Sequence, residues 1–129
     1  MISTPPQFAP LTPEMKARLD RFRDEHEGEP LGGVGSRVIL EDENLKIWEM
    51  ILEPGEASAL HEHEHDYYLI IFEGDYVAGV SPKGSPVDSF VGIVPKEGNT
   101  VFIPKGGVEW AWNVGEKRYR EFLIELKKS

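Results

Sequence analysis

The chain has 129 residues, no cysteine and a formal charge of −9, with 23 acidic against 14 basic residues. This length fits a single domain, the absence of cysteine excludes thiolate ligands and a cysteine nucleophile, and the acidic balance argues against a nucleic acid partner. No apolar run reaches the roughly 18 residues of a membrane span and no signal-peptide pattern is visible, so we expect a cytoplasmic protein that does not bind membranes.

The first predicted elements are an extended arm and a helix. Residues 1–11 contain three prolines and no hydrophobic period, so they are expected to form an extended arm. Thr12 is a suitable N-cap and Pro13 suits the first helical position. We therefore expect a helix over residues 12–28, where Gly28 ends the apolar stripe.

From residue 37 onward the apolar residues alternate with a period of two, which indicates strands. Gly or Pro separates about eight such segments, and this spacing predicts an all-β antiparallel sandwich or barrel over residues 37–126. The expected strands are 37–41, 45–52, 68–72, 76–80, 87–94, 99–103, 108–114 and 119–126.

The aromatic and acidic residues on these strands can be assigned either to the core or to the surface. We expect Trp48, Phe102 and Trp112 in the core, because aromatic side chains dominate small β cores. Glu49 and Glu125 interrupt apolar strands. They are either inward acid–base groups or, as we prefer, groups on solvated faces or paired with Lys or Arg.

The sharpest chemical signal lies between Gly55 and Gly74, where three histidines occupy alternate positions. On a strand His61 and His63 would share one face, so they can present two imidazoles to a single metal ion. His65 follows in the same phase, but the residues after it favour a bend. This stretch predicts a metal site.

Two sets of residues resemble the two sequence motifs of the cupin superfamily, with every gap of each motif preserved. The first set is Gly55, His61, His63 and Gly74, and the second is Gly98, Pro104, Gly106 and Asn113. The resemblance covers residues 37–126. It implies a small single-domain cupin spanning residues 1–129, with a double-stranded β-helix, or jelly-roll barrel, preceded by a short helix.

In each of the two motifs, the chain has a different residue at one of the metal-ligand positions. Tyr67 stands where the first motif has glutamate, and Glu109 stands where the second has histidine. The resemblance then implies a divalent ion of iron, zinc or manganese held by His61, His63 and Glu109. Tyr67 or His65 would donate or accept a proton.

The register of the second motif leaves an alternative open. Gly106 and Gly107 permit a slip of one residue, which on a strand exchanges the two faces. Trp110 would then face the pocket in place of Glu109. Two histidines alone would hold a metal weakly, and an organic ligand bound by stacking would become the better interpretation.

Three functions are compatible with these residues. The first is a metal-dependent enzyme acting on a small organic substrate, of dioxygenase, isomerase, cyclase or lyase type. The second is a metal-free small-molecule-binding cupin without catalysis, and the third is an interaction module. A homodimer is expected in each case, because the strand at 68–72 is apolar on both faces and one short helix covers too little.

Overall fold

One helix and ten strands make up the fold of the computed structural model, which describes all 129 residues. In chain order the elements are β1 (Gln7–Phe8), α1 (Pro13–His26), β2 (Arg37–Glu41), β3 (Leu45–Leu52), β4 (His61–Glu62), β5 (Tyr67–Glu73), β6 (Tyr76–Val80), β7 (Phe90–Ile93), β8 (Asn99–Ile103), β9 (Val108–Asn113) and β10 (Tyr119–Leu126). The first sheet has the order β1-β7-β6-β9-β4 and the second has the order β2-β3-β10-β5-β8. The predicted all-β architecture with one N-terminal helix is confirmed.

The structure has two strands more than the sequence predicts, and one strand is shorter than expected. The additional strands, β1 and β4, have two residues each. β7 begins at Phe90 instead of residue 87, because the preceding residues are held in turns by hydrogen bonds such as that from the Val87 amide to Ser85 Oγ. The other predicted strands are within one residue of their observed bounds or match them.

The helix packs on the outside of the first sheet. It begins after Thr12, whose hydroxyl oxygen accepts a hydrogen bond from the Met15 amide, so Thr12 is the N-cap as predicted. Leu19 and Phe22 of α1 are buried against one cluster of the sheet, formed by Ala78, Val80, Val91 and Trp110. No helix is long and apolar enough to cross a membrane.

The inward face of β10 differs from the face that its apolar residues indicate. Tyr119, Glu121, Leu123 and Glu125 are buried, whereas the apolar set that includes Phe122 lies on the other side of the strand. The interior between the sheets is therefore partly acidic.

The two glutamates that the sequence singles out both have partners. Glu49 accepts hydrogen bonds from Arg37 at 2.7 Å and from Arg120 at 3.0 Å, as we prefer from sequence. Glu125 accepts one from the indole N–H of Trp48 at 2.6 Å, and is therefore paired with a tryptophan and not with a cation.

The arm of residues 1–9 joins the edges of both sheets. Ile2 forms a parallel bridge with Asn99 at the start of β8, and the Asn99 side chain bonds to the backbone of Thr4 at 3.0 and 3.2 Å. The arm then pairs with β7 through Phe8. The arm thus crosses the opening between the two sheets of the same molecule.

The outer face of the second sheet is largely uncovered. We define this outer face by six residues, Leu40, Ile47, Tyr68, Phe72, Phe102 and Phe122. Phe102 is 50% exposed, so its predicted place in the core is wrong. It stands opposite Tyr68 and makes an edge-to-face contact with it, while its neighbours Val101 and Ile103 take the inward positions.

The glycines of the two motifs lie where the backbone turns. Gly55, Gly74, Gly98 and Gly106 all have positive φ, between 77° and 140°. Only glycine adopts such angles without a steric penalty. The motif spacing therefore reports the positions of turns, and this explains why it identifies the fold.

Candidate metal centre

The three predicted metal ligands lie together. His61 of β4 and Glu109 of β9 are direct cross-strand partners. His63 follows β4 and is held by two backbone hydrogen bonds of 2.8 Å, one to the oxygen of Gly107 and one from the amide of Gly106. One donor atom from each of His61, His63 and Glu109 lies within 4.8 Å of the other two.

The register alternative is resolved in favour of Glu109. The Glu109 side chain lies on the inner side of the first sheet, while Trp110 is buried on the opposite side against α1. The Trp110 indole N–H donates to Glu29 at 3.1 Å. The interpretation in which Trp110 stacks over a ligand in the pocket is therefore wrong, because Trp110 is required in the contact between helix and sheet.

His61 is oriented for ligation. Its Nδ1 atom lies 2.9 Å from the carbonyl oxygen of Ala59, so Nδ1 carries the proton and donates it, which leaves the lone pair of Nε2 free. Burial lowers the pKa of His61, and the positive charge that His63 would carry acts in the same direction. The Ala59 hydrogen bond and the charge of Glu109 oppose this shift only in part. A neutral imidazole is the form that binds a metal.

His63 is positioned by an aromatic neighbour. Its ring stacks on Tyr67 with centroids 4.1 Å apart and an interplanar angle of 15°. Its Nε2 atom is 3.8 Å from Glu109 Oε1, and its Nδ1 atom is buried with no hydrogen-bond partner. An unpaired buried nitrogen is unfavourable unless an ion or ligand pairs with it.

Gly79 leaves room for the carboxylate of Glu109. A Cβ atom at position 79 would lie 2.6 Å from Glu109 Oε2 and 2.5 Å from the ring of Phe90. Any larger residue would displace Glu109 or the ring. The glycine of β6 therefore contributes to the geometry of the candidate site.

The donor set fits a divalent transition metal. Two imidazoles and a carboxylate suit iron, zinc and manganese. Three donor atoms bound at about 2.0–2.2 Å to one ion, in tetrahedral or facial octahedral geometry, lie about 2.8–3.6 Å apart. The observed group, with separations of up to 4.8 Å, is wider than that, so the side chains would have to move together by about 1 Å for one ion to bind all three.

The candidate site opens onto a cavity of about 430 Å³ between the sheets. Most of the residues that form its wall are apolar, and none is Lys or Arg. His63, Tyr67 and Glu109 belong to this wall. Burial, and then the charges of Glu109 and Glu121, raise the pKa of Tyr67 well above its usual value. The Tyr67 hydroxyl therefore stays protonated at neutral pH and is available as a donor.

His65 does not join the group. It is neither among the three grouped donors nor part of the cavity wall. The structure thus brings together four of the five predicted site residues, with Tyr67 beside the ligands. The proton-transfer roles of Tyr67 and His65 stay predictions.

Sequence reasoning missed two polar residues of the cavity wall, Tyr119 and Glu121. Both project inward from β10 and both are buried. They alternate with Leu123, another buried residue, but the opposite face of β10 carries Phe122 and Ile124, so the sequence alone holds no clear signal for them. Burial, and then the charge of Glu109, raise the pKa of Glu121 to about 8, while a hydrogen bond with Tyr119 acts in the opposite direction.

Comparison with solved structures shows the fold. A cupin domain from Bordetella pertussis matches with a TM-score of 0.63 at 21% identity, over 78% of this chain and 99% of that domain. A Klebsiella pneumoniae protein with a double-stranded β-helix domain matches with a TM-score of 0.54 at 21% identity, over 84% of this chain and 86% of that one. A mutant of Bacillus subtilis oxalate decarboxylase gives a TM-score of 0.54 at 17% identity, over 80% of this chain and 29% of the longer protein.

Comparison by sequence finds less similarity than comparison by structure. No protein-family model matches the chain, and no curated protein matches it either. At such low identity the likeness concerns the fold, and the site is assigned from its own residues. The protein is a small cupin-fold protein, with the double-stranded β-helix that its motif spacing predicts.

Proposed function

We propose that the protein binds one divalent metal ion through His61, His63 and Glu109 and acts as an enzyme on a small, mainly apolar organic molecule. The observation that carries this proposal is the grouping of the three donors beside a largely apolar cavity, with His63 and Glu109 in its wall. Such pockets are the usual form of small-molecule sites.

The residues of the site have two roles, to hold the ion and to bind the substrate. A bound iron, zinc or manganese ion supplies Lewis acidity at a substrate oxygen. The Ala59 carbonyl fixes the tautomer of His61, and Tyr67 fixes the ring plane of His63. The protonated Tyr67 hydroxyl donates a hydrogen bond to the bound molecule.

The reaction belongs to one of four types, namely dioxygenase, isomerase, cyclase or lyase chemistry. In metal-dependent enzymes each of the four types can use a metal ion with open coordination positions. The likeness to oxalate decarboxylase concerns the fold, and one fold hosts many reactions. The substrate is therefore to be found by experiment.

Metal content is the test of this proposal. We expect tag-free protein to contain near-stoichiometric iron, zinc or manganese by mass spectrometry, and the His61→Ala/His63→Ala variant to contain almost none. The matched control is His65→Ala, which removes a histidine two residues away and should retain the metal. Equal metal content in the wild type and the double variant would sink the proposal, and so would loss of metal in His65→Ala alone.

A metal-free binding protein is the second candidate. It is favoured by the size and apolar wall of the cavity, which suit ligand capture without any ion. Thermal-shift measurements separate the two candidates, because a compound that binds the folded state raises the unfolding temperature. Stabilisation by a metal that a chelator reverses favours the enzyme, whereas stabilisation by metabolites alone favours the binding protein.

We also propose that the protein forms a homodimer through the outer face of the second sheet. Four residues of this face, Leu40, Tyr68, Phe72 and Phe102, are 39–50% exposed, and contiguous exposed apolar surface marks interaction sites. The guanidinium of Arg120 lies 5.0 Å from the centroid of the Phe72 ring and makes a cation–π contact with it. This contact stabilises the Arg120 charge within the aromatic surface.

Sedimentation tests the dimer. We expect the wild type to sediment with twice the 14.6 kDa mass of one chain and Phe72→Glu/Phe102→Glu to sediment as a monomer, because buried unpaired carboxylates oppose association. The control is Val87→Glu, at a position that is 59% exposed and lies in the loop before β7 of the first sheet, outside the outer face. A concentration-independent wild-type monomer would contradict the proposal.

A further inference from the structure

The cavity wall contains a second polar group, separate from the histidines. Glu121 and Tyr119 project into the cavity from β10, on the sheet opposite the one that carries Glu109. Glu121 is 5% exposed and Tyr119 is 2% exposed. The Oε2 atom of Glu121 is buried and has no hydrogen-bond partner.

The protein itself offers this oxygen no substitute partner. Asn99 also lines the cavity, but both ends of its side-chain amide are bonded to the backbone of Thr4. Tyr119 is hydrogen-bonded to the Glu121 carboxyl group, yet Oε2 stays unpaired. Buried polar atoms in folded proteins are almost always paired, so Oε2 points to a missing ligand.

The chemistry of the wall restricts the class of that ligand. Lys and Arg are absent from the wall, so an anion would find no protein counter-charge there. Burial raises the pKa of the Glu121 carboxyl group to about 8, so at neutral pH the group is protonated and carries an O–H donor. An acceptor oxygen on an uncharged, apolar molecule matches both the donor and the wall.

We propose that Glu121 is a second recognition point of the cavity and donates a hydrogen bond to an acceptor oxygen of an uncharged, mainly apolar ligand. The inference rests on the proposed function and deepens it by naming the substrate class. The ligand would lie between two polar points, with the histidine site on the first sheet and Glu121 on the second.

Ligand titration of chelator-treated protein, followed by NMR, tests the inference with three matched probes. Acetophenone carries an acceptor oxygen, ethylbenzene has a similar shape without it, and benzylammonium carries a positive charge. We expect acetophenone to bind about 5- to 10-fold more tightly than ethylbenzene, the ratio that one hydrogen bond produces. Equal binding of these two probes, no acetophenone binding, or tighter binding of benzylammonium would overturn the proposal.

Variants then assign the effect to Glu121. Glu121→Leu should remove the preference for acetophenone, while Glu121→Gln, which keeps an N–H donor of the same shape, should retain most of it. The control is Glu125→Gln on the same inward face of β10, where the carboxylate is bonded to Trp48 and lies outside the cavity wall. A preference that survives Glu121→Leu would contradict the assignment.

The probe comparison in the wild type needs no variant to fold. The experiment also uses metal-free protein, so its outcome is independent of the metal measurement. Protein without metal but with a Glu121-dependent preference would refute the proposed enzyme and uphold the recognition point. Protein that contains metal but shows no Glu121-dependent preference would uphold the proposed metal site and refute the recognition point.

Discussion

Replacing Trp110 by Ala is expected to lower the free energy of unfolding by about 3–5 kcal/mol, the usual cost of truncating a large buried aromatic side chain. Trp110 is 1% exposed and contacts Phe22 of α1 edge to face, with ring centroids 5.9 Å apart. Its removal leaves a cavity between helix and sheet and leaves Glu29 without its indole donor. Urea unfolding monitored by circular dichroism measures the change.

Trp110→Phe is the matched comparison for this prediction. It keeps most of the ring and loses the hydrogen bond to Glu29, so we expect a smaller loss of about 1–2 kcal/mol. A loss below about 1 kcal/mol for Trp110→Ala would indicate that this side chain is not packed under the helix. Because a slip by one residue exchanges the two faces of a strand, that result would also place Glu109 outside the candidate metal site.

Replacing Glu121 by Gln is expected to stabilise the chelator-treated protein, and increasingly so as the pH rises. Burial raises the pKa of Glu121 from 4.5 to about 8. Between these values the unfolded chain has released the proton while the folded chain still holds it, so the stability of the wild type falls with rising pH. The loss of stability is complete once the pH exceeds the pKa of Glu121 in the folded protein. Gln does not ionise, so the variant shows no such loss.

The size of this effect follows from the shift. One pKa unit corresponds to about 1.36 kcal/mol, so the gain of Glu121→Gln over the wild type should reach a few kcal/mol at pH 8 and vanish near pH 4.5. Urea unfolding at pH 5, 6.5 and 8 measures it. A gain that is independent of pH would show that Glu121 ionises normally.

Glu49→Gln provides a control of opposite sign. Hydrogen bonds from Arg37 and then Arg120 lower the pKa of Glu49. Its contribution to stability is therefore present above the unfolded-state pKa and is lost as the pH falls through the folded-state pKa. Glu49→Gln should accordingly destabilise the protein at neutral pH, by an amount that shrinks in acid.

The fold and the grouping of the three candidate ligands could be predicted because they depend on local spacing. The turns need glycine at fixed intervals, as the positive φ angles of Gly55 and Gly98 show. His61 and His63 are two residues apart, and their partner Glu109 occupies a motif position. These relations are visible in a single sequence, whatever the rest of the chain does.

The second polar group could not be predicted in the same way. Both faces of β10 carry apolar residues, with Leu123 on one and Phe122 on the other, so alternation alone does not reveal which face is inside. The inward side is decided by pairing with β3 and β5. Nothing in the sequence therefore distinguishes Glu121 from an acidic residue on the surface.

The same limit applies to the arm. Its proline content predicts an extended chain but not a docking place. The pairing of Phe8 with Gly92 and the bonds between Thr4 and Asn99 join residues more than 80 positions apart. Only the finished sandwich supplies the two free edges to which the arm attaches.

The position of the arm has a kinetic consequence for any ligand that enters the cavity from its side. Pro6, Gln7 and Phe8 form part of the cavity wall, so entry from that side would require these residues to detach first. Association that depends on such an opening step is slower than free encounter. The observed rate would then level off as ligand concentration rises, at the rate of arm detachment. In that case the first nine residues would govern how long a molecule stays bound, even though none of them contributes to the chemistry.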